Sequence, residues 1–574
     1  MVESFKTSFG LGPISEAELF EYFANYCIVN QEYGKASFDL DTISTGESAQ
    51  GIDGIAIIVN QKLIDSTDDI DLLIDMNQTL SVRFVFIQTK TSESFSNSLM
   101  LNFLHFVKEF FSEDTTPFTT DQMAKFVELK NYIFEHGEKL KKNPELHMYY
   151  VSQGIWDSRN DTLSSVVNRN VQELNSMQLF SNIEFYPVDA TRLQDMFRTT
   201  NRSLSATFKF EKRVTMYTSG DEEVGYSGVI PFSEYKKLLL EDNGAIKSVF
   251  DDNIRDYLGP NLAVNKSIQE SIDDNDPNAF CMLNNGITVV ANSMSILGDR
   301  VTIEDYQIVN GCQTSHVLID SVEDGKNLDN LLIPIRIIAT KNEELKNRIT
   351  RATNNQTSIK TEQLEALSTF QKNLEEYYNT FTESGALKYE RRTGQYRGKN
   401  INKSHIVTIP TQIKAVAAMF LNDPNQVSGQ YGTVARRIGD KIFRSSDRLV
   451  LYYTSALTLY KIDSLLRTNA IEKSMKRARY HIMMLFREAV SKDPMPAFHT
   501  KKMDSYCKYL LRHMEDERKF EDTIAIIVNV IKKYSSEIDF DNRKCFEKKE
   551  TTTVLYGKIN EIKESLKNAG IINA

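Results

Sequence analysis

At 574 residues the chain is too long for one hydrophobic core and should divide into two to four domains. Its 41% hydrophobic and 25% charged residues form an ordinary soluble composition. It has no apolar run of membrane-spanning length and no basic N-terminal region leading into an apolar stretch, so a cytosolic protein is expected. The net charge of −10 excludes a protein that coats nucleic acid over its whole surface.

The charge is uneven. Lys388 to Lys403 carries six Lys/Arg against one acid, and Arg436 to Arg479 carries eleven against four. The second window fits solvated helix faces. The first, "KYERRTGQYRGKN", interleaves Arg with Tyr and Gly as loops that grip a phosphate backbone do. Five scattered cysteines without a C-x-x-C pair predict neither a disulfide framework nor a thiolate zinc site.

In chain order, residues 1 to 215 open with the helical pattern "EAELFEYFANYCIV", in which Leu19, Phe20, Phe23 and Cys27 recur at helical spacing. Strands are predicted at 52 to 59, 82 to 89, 147 to 153 and 182 to 188. A helix between the second and third carries Met100, Phe103, Leu104, Val107 and Phe111 on one stripe. This order indicates a mixed α/β sheet domain. Residues 216 to 430 are dense in Asn-Gly and Asn-Asn pairs, which read as hairpin turns unless their flanks differ. In "YQIVNGCQTSHVLID" they do differ. A strand meets Asn310-Gly311 and then a helical pattern, placing Gln313 and Thr314 at a helix N-terminus. "ATNNQTSIKTEQLEAL" repeats the layout, with Thr361 as a candidate N-cap and Leu364, Leu367, Phe370, Leu374 and Tyr378 as the core stripe. Recurring polar turns of this kind suggest a ligand cleft. From 431 to 574 the pattern is mostly helical.

The charge in "GIDGIAIIVN" is the chemical clue. Asp53 stands between two glycines at the mouth of an apolar strand, and "VRFVFIQTK" supplies a second strand ending in Gln88, Thr89 and Lys90. Strand alternation points Gln88 and Lys90 the same way, with the Thr89 carbonyl between them. Asp53, the Gln88 amide oxygen and the Thr89 carbonyl would suit Mg²⁺ or Mn²⁺, a water on the cation would become the nucleophile, and Lys90 would offset phosphorane charge. Gly51 and Gly54 would let the chain bend and a phosphate approach, and Glu21 on the first helix could add a ligand.

A helix with Glu21, Asp53 at a strand start, Gln88-x-Lys90 at a strand end and then an amphipathic helix resemble the PD-(D/E)xK nuclease superfamily, in the variant where Gln replaces the second acid. A second resemblance rests on five segments in order: "VFDDNIRDYLGPNLAVNKSI", "FCMLNNGITVVA", "QIVNGCQTSHVL", "RATNNQTSI" and "KYERRTGQY". Together they look like the AIPR, or abortive infection phage resistance, family. The two resemblances imply a mixed α/β (α+β) protein: a restriction-endonuclease-like sheet domain (1 to 215), a central α/β AIPR domain (216 to 430) and a helical C-terminal region (431 to 574). They imply a cytoplasmic bacterial endonuclease, Mg²⁺- or Mn²⁺-dependent and acting on DNA in abortive infection. Catalysis would fall to Asp53, Gln88, Lys90 and Glu21. Asn285, Asn310, Gln313, Asn355, Arg391 and Arg392 would bind a nucleotide or strand, a nucleotide or phage-derived trigger and a homo-oligomer are candidate partners, and no membrane is involved. The alternative is a non-catalytic sensor that keeps a nuclease fold as a platform.

Overall fold

The computed structural model describes every residue except 35–37, 47–50, 113–120, 157–160, 203, 217–222, 242–243, 245, 248, 251–262, 274–276, 355–360, 383–385, 392–394, 397–398, 400, 430–440 and 573–574. No helix among the described residues is long and apolar enough to cross a membrane.

The chain opens with helices α1 (Val2–Phe9) and α2 (Glu16–Tyr33). The Ser15 hydroxyl accepts the Glu18 N–H to start α2, and left-handed Gly34 ends it. A five-stranded sheet follows, interleaved with helices: β1 (Gly54–Val59), β2 (Lys62–Leu63), α3 (Thr67–Asn77), β3 (Val82–Lys90), α4 (Asn97–Phe110), α5 (Asp121–Glu135), β4 (Glu145–Ser152), α6 (Asp161–Ser176), β5 (Asn182–Val188) and α7 (Ala190–Thr200). Its strand order is β2-β1-β3-β4-β5. β1 runs antiparallel to β2 and β3, whereas β3, β4 and β5 are parallel, as the helical crossovers between them require. β3 is covered on both sides, which explains its unbroken apolar run. Val85 and Ile87 pack with Phe23 and Leu193 of α2 and α7, while Phe84 and Phe86 pack with Phe103 and Phe126 of α4 and α5. The four predicted strands are present, shifted by up to two residues at their ends. The acidic stretch after β2 holds α3, closed by a reciprocal Ser66–Asp69 cap.

The middle of the chain forms two further sheets. β6 (Ser205–Lys209), β7 (Lys212–Met216), β8 (Val224–Pro231) and α8 (Phe232–Leu239) lead into α9 (Ala263–Asp273), α10 (Pro277–Leu283), β9 (Ile287–Ala291), β10 (Ser293–Leu297), β11 (Arg300–Glu304), β12 (Gln307–Asn310), α11 (Cys312–Glu323), β13 (Leu332–Ala339) and α12 (Glu343–Asn354). The strand orders are β10-β11-β6 and β12-β9-β13-β8-β7. Because β6 pairs with β11 and β7 with β8, the strands from Ser205 onward belong with the middle sheets and not with the first domain drawn to 215.

A helical core running from Phe370 to Ile571 follows. It takes in α13 (Thr361–Asn379) and, after the parallel pair β14 (Lys388–Glu390) and β15 (Ile406–Thr408), α14 (Ile409–Phe420). It continues through Leu449–Arg467, Arg479–Val490, Lys501–Glu515 and Glu517–Lys533. It therefore begins well before 431. α13 contains Thr361 as its first residue rather than having it as a cap, Phe370, Leu374 and Tyr378 are buried as expected, and the side chains of Leu364 and Leu367 lie outside what is described. All five cysteines are free thiols, and four are buried.

The second basic window is not simply solvated. Lys473 pairs with Glu18 at 2.9 Å, Lys476 with Asp39 at 3.4 Å and also with Asp41, and Arg479 with Asp39 at 3.5 Å. Beyond the window, Arg543 and Lys544 both pair with Glu128. Part of the basic charge of the helical core is thus matched by acids of the first sheet domain. Each exposed pair contributes only about 0 to 1 kcal/mol, but together they fix which faces meet.

Candidate active site

The site lies where the C-terminal end of β3 meets the start of β1. The Asp53 N–H donates to Ile87 O at 2.8 Å, and its carbonyl accepts from Asn25 Nδ2 on α2 at 3.2 Å, so the backbone at this acid is held by both β3 and the helix. Asp53 Oδ2 accepts three hydrogen bonds: from Gln88 Nε2 at 2.5 Å, Thr89 N at 2.7 Å and Thr89 Oγ1 at 2.7 Å. Gln88 and Thr89 are buried, while Lys90 is partly exposed at the strand end. On α2, Glu21 accepts the Ser44 hydroxyl at 3.3 Å.

The two acids feel each other. Burial and then the Asp53 charge push the Glu21 carboxyl up to about 8, partly offset by the Ser44 hydrogen bond and by Lys90. Burial also raises the Asp53 carboxyl, against the Thr89 N–H, the Lys90 charge and the Thr89 hydroxyl. Two neighbouring carboxylates that both resist ionisation form a region short of positive charge.

The residues present fit a hard divalent cation. Asp53 and Glu21 offer carboxylate oxygens, and Gln88 Oε1 is buried with no hydrogen-bond partner among the described residues. Among the described residues no group of three or more His, Cys, Asp or Glu side chains could hold a metal ion, so any cation here would rely on two acids, amide oxygen and water. Two details differ from expectation. The Thr89 carbonyl, expected to face a cation, accepts from the amide of Gln88 itself at 3.1 Å, and Thr89 serves Asp53 through its N–H and hydroxyl. It is the nitrogen of the Gln88 amide, not its oxygen, that faces Asp53.

The glycines also act differently from the expected approach route. A Cβ on Gly54 would lie 2.6 Å from Asn25 Oδ1, and one on Gly51 would lie 2.5 Å from the Phe106 ring, so both glycines admit protein side chains. Gly54→Ala should therefore displace the Asn25 amide from the Asp53 carbonyl and destabilise the protein by about 1 to 3 kcal/mol. A denaturant midpoint unchanged from wild type would show that Asn25 does not depend on the missing Cβ.

The middle-region candidates fall into three groups. Asn310 ends β12, Gly311 takes a left-handed φ of 103°, and α11 begins at Cys312, so this turn joins strand to helix as its flanks predict and is not a hairpin. Gln313 Oε1 accepts from the buried Asn265 amide at 3.0 Å. Gly311 packs on Ile287 at the start of β9, just after exposed Asn285 and half-buried Gly286, which brings the two Asn-Gly turns together. Arg391 stands apart from both. It is paired with Glu375 at 3.0 Å, and its N–H donates to Gln395, so its guanidinium is engaged within the chain rather than presented to phosphate. Tyr389 is 0% exposed and is no stacking platform. Asn355 and Arg392 lie outside the described residues.

Sequence reasoning missed Asn25 and Tyr150. Tyr150 is the register partner of Gln88 on β4, fully buried, with its hydroxyl unpartnered among the described residues. Only the strand register reveals it, because "HMYYVSQ" reads as ordinary core.

These features define a mixed α/β protein with several sheets, a helical C-terminal core and a two-acid, amide and lysine cluster at one end of its first sheet. The chain belongs to the AIPR protein family, whose sequence model matches residues 250–539, half of the chain. Membership of this abortive infection phage resistance family implies a part in antiphage defence. No curated protein and no solved structure matches the chain. The first sheet domain, with its acid cluster, lies outside the matched range.

Proposed function

We propose that the protein is a Mg²⁺- or Mn²⁺-dependent endonuclease of DNA, of the Gln-variant PD-(D/E)xK kind, acting in antiphage defence under the control of its AIPR region. The observation that carries this reading is the meeting of Asp53 with the Gln88-Thr89-Lys90 end of β3, where the charges of Glu21 and Lys90 are also felt, beside Gln88 Oε1, which has no hydrogen-bond partner among the described residues. The helix, strand, strand, helix, parallel strand order around them supports it. A divalent cation held by these oxygens supplies Lewis-acid charge and an activated water. The chain's own residues do the rest. Thr89 clamps the Asp53 carboxylate through two hydrogen bonds, so its orientation is set before substrate arrives. Glu21 holds a proton at neutral pH and surrenders it when positive charge enters. The Lys90 charge acts on both acids from the partly exposed rim, where an incoming phosphodiester would gain charge. A phage-derived or nucleotide trigger would act on the paired Asn-Gly turns of the middle sheet.

The test is cleavage of supercoiled plasmid and phage DNA titrated with Mg²⁺. Lys90→Ala should lower the rate by roughly 10²-fold, the loss typical of one preorganised electrostatic group, with the melting temperature unchanged. Wild-type cleavage by that variant would remove Lys90 from the chemistry. The non-catalytic sensor is favoured by one feature, the three hydrogen bonds that already satisfy Asp53 Oδ2. It predicts DNA binding without cation-dependent cleavage by the wild type.

A further inference from the structure

Tyr150 is buried among apolar side chains, its ring 5.9 Å from that of Phe95 and 6.3 Å from that of Phe103. Among the described residues its hydroxyl has no hydrogen-bond partner, and neither has Oε1 of its cross-strand neighbour Gln88. Two orphaned polar atoms on paired strands are costly, and phenylalanine would serve the packing at Tyr150 better. Gln88, the register partner of Tyr150, is itself bonded through Nε2 to Asp53 Oδ2. We propose that Tyr150 is a positioning residue of the Asp53 site, whose hydroxyl donates a hydrogen bond to a water carried by the bound divalent cation while Gln88 Oε1 meets the same hydrated ion. This rests on the cation reading of the site. The chemistry is consistent on both sides. Burial and the Asp53 charge push the phenol up to about 12, so it remains a proton donor wherever the protein would work. An oxygen of the hydrated ion is the acceptor that the apolar surroundings lack.

The fold supplies its own reporter. Trp156, the single tryptophan of the chain, packs against Phe95 at 4.9 Å, and Phe95 packs against Tyr150. The experiment titrates Mg²⁺ into the full-length wild type, Tyr150→Phe and Asp53→Ala, reading Trp156 emission and heat of binding, with melting curves taken without cation. Tyr150→Phe is expected to melt at or above the wild-type temperature, since it loses only an unpaired hydroxyl, yet to bind Mg²⁺ about tenfold or more weakly, as loss of a supporting hydrogen bond around a metal does. Equal Mg²⁺ affinity in Tyr150→Phe and wild type, with Asp53→Ala not binding, overturns this inference alone. A destabilised Tyr150→Phe of unchanged affinity overturns it too, by assigning the hydroxyl a structural role. A wild type with no Asp53-dependent Mg²⁺ binding removes the inference together with the cation site beneath it.

Discussion

Asp53→Asn is expected to cut cation-dependent DNA cleavage by about 10³-fold or more, above the loss from one electrostatic donor, while raising the melting temperature of the cation-free protein at neutral pH. Both effects have one origin. Burial raises the Asp53 carboxyl above its usual range, so ionising it costs more in the folded state than in the unfolded chain. A group shifted in this direction supports folding fully only below its unfolded value and loses that support as pH rises through the folded one, so at neutral pH the wild type bears the cost of the charge. Asparagine keeps an acceptor for the Thr89 N–H and hydroxyl and removes the charge. It also removes the carboxylate that a cation would need. Calorimetric melting beside a plasmid-nicking assay separates the two, and a variant that cleaves at the parental rate would place the chemistry elsewhere in the chain.

The second large effect is on pH. Glu21, pushed up to about 8, keeps its proton in the folded protein at pH values where the unfolded chain has released it. Its contribution to stability is complete below about 4.5 and declines as pH rises towards 8, so the wild type should lose melting temperature across that window and Glu21→Gln should show a flatter profile. Cation binding works against the same proton. Mg²⁺ affinity should climb by about tenfold per pH unit between 6 and 8 and then level off, with proton release detectable in buffers of different ionisation enthalpy. In Glu21→Gln most of that climb should vanish. A wild-type affinity that is flat from pH 6 to 8 would mean that Glu21 does not take part in holding the ion.

The parts of the site legible in sequence were those that strand geometry alone dictates. Asp53 at the start of one strand and Gln88 and Lys90 at the end of another announce themselves, because charge at the mouth of an apolar run has few structural reasons. Asn25 and Tyr150 gave no such signal, since a buried amide on a helix and a tyrosine in a strand look like core until the fold bonds Asn25 to the Asp53 carbonyl and the register sets Tyr150 beside Gln88. Helix α3 escaped notice because only Ile70, Leu73 and Ile74 carry its apolar stripe within a run of aspartates. Arg391 looked like a phosphate ligand because its partner, Glu375, lies on the preceding helix and not beside it in sequence. The basic charges of Lys473, Lys476 and Arg479 looked solvated for the same reason, their acids lying more than 400 residues away.

Helix α2 joins two of these stories within a single turn. Glu18 is bonded to Lys473 of the helical core, and Glu21, three residues on, shares the field of Asp53 and of Glu18 itself. Displacing Lys473 would leave the Glu18 charge to act on Glu21 uncompensated, an effect limited to the ~0 to 1 kcal/mol that an exposed pair carries.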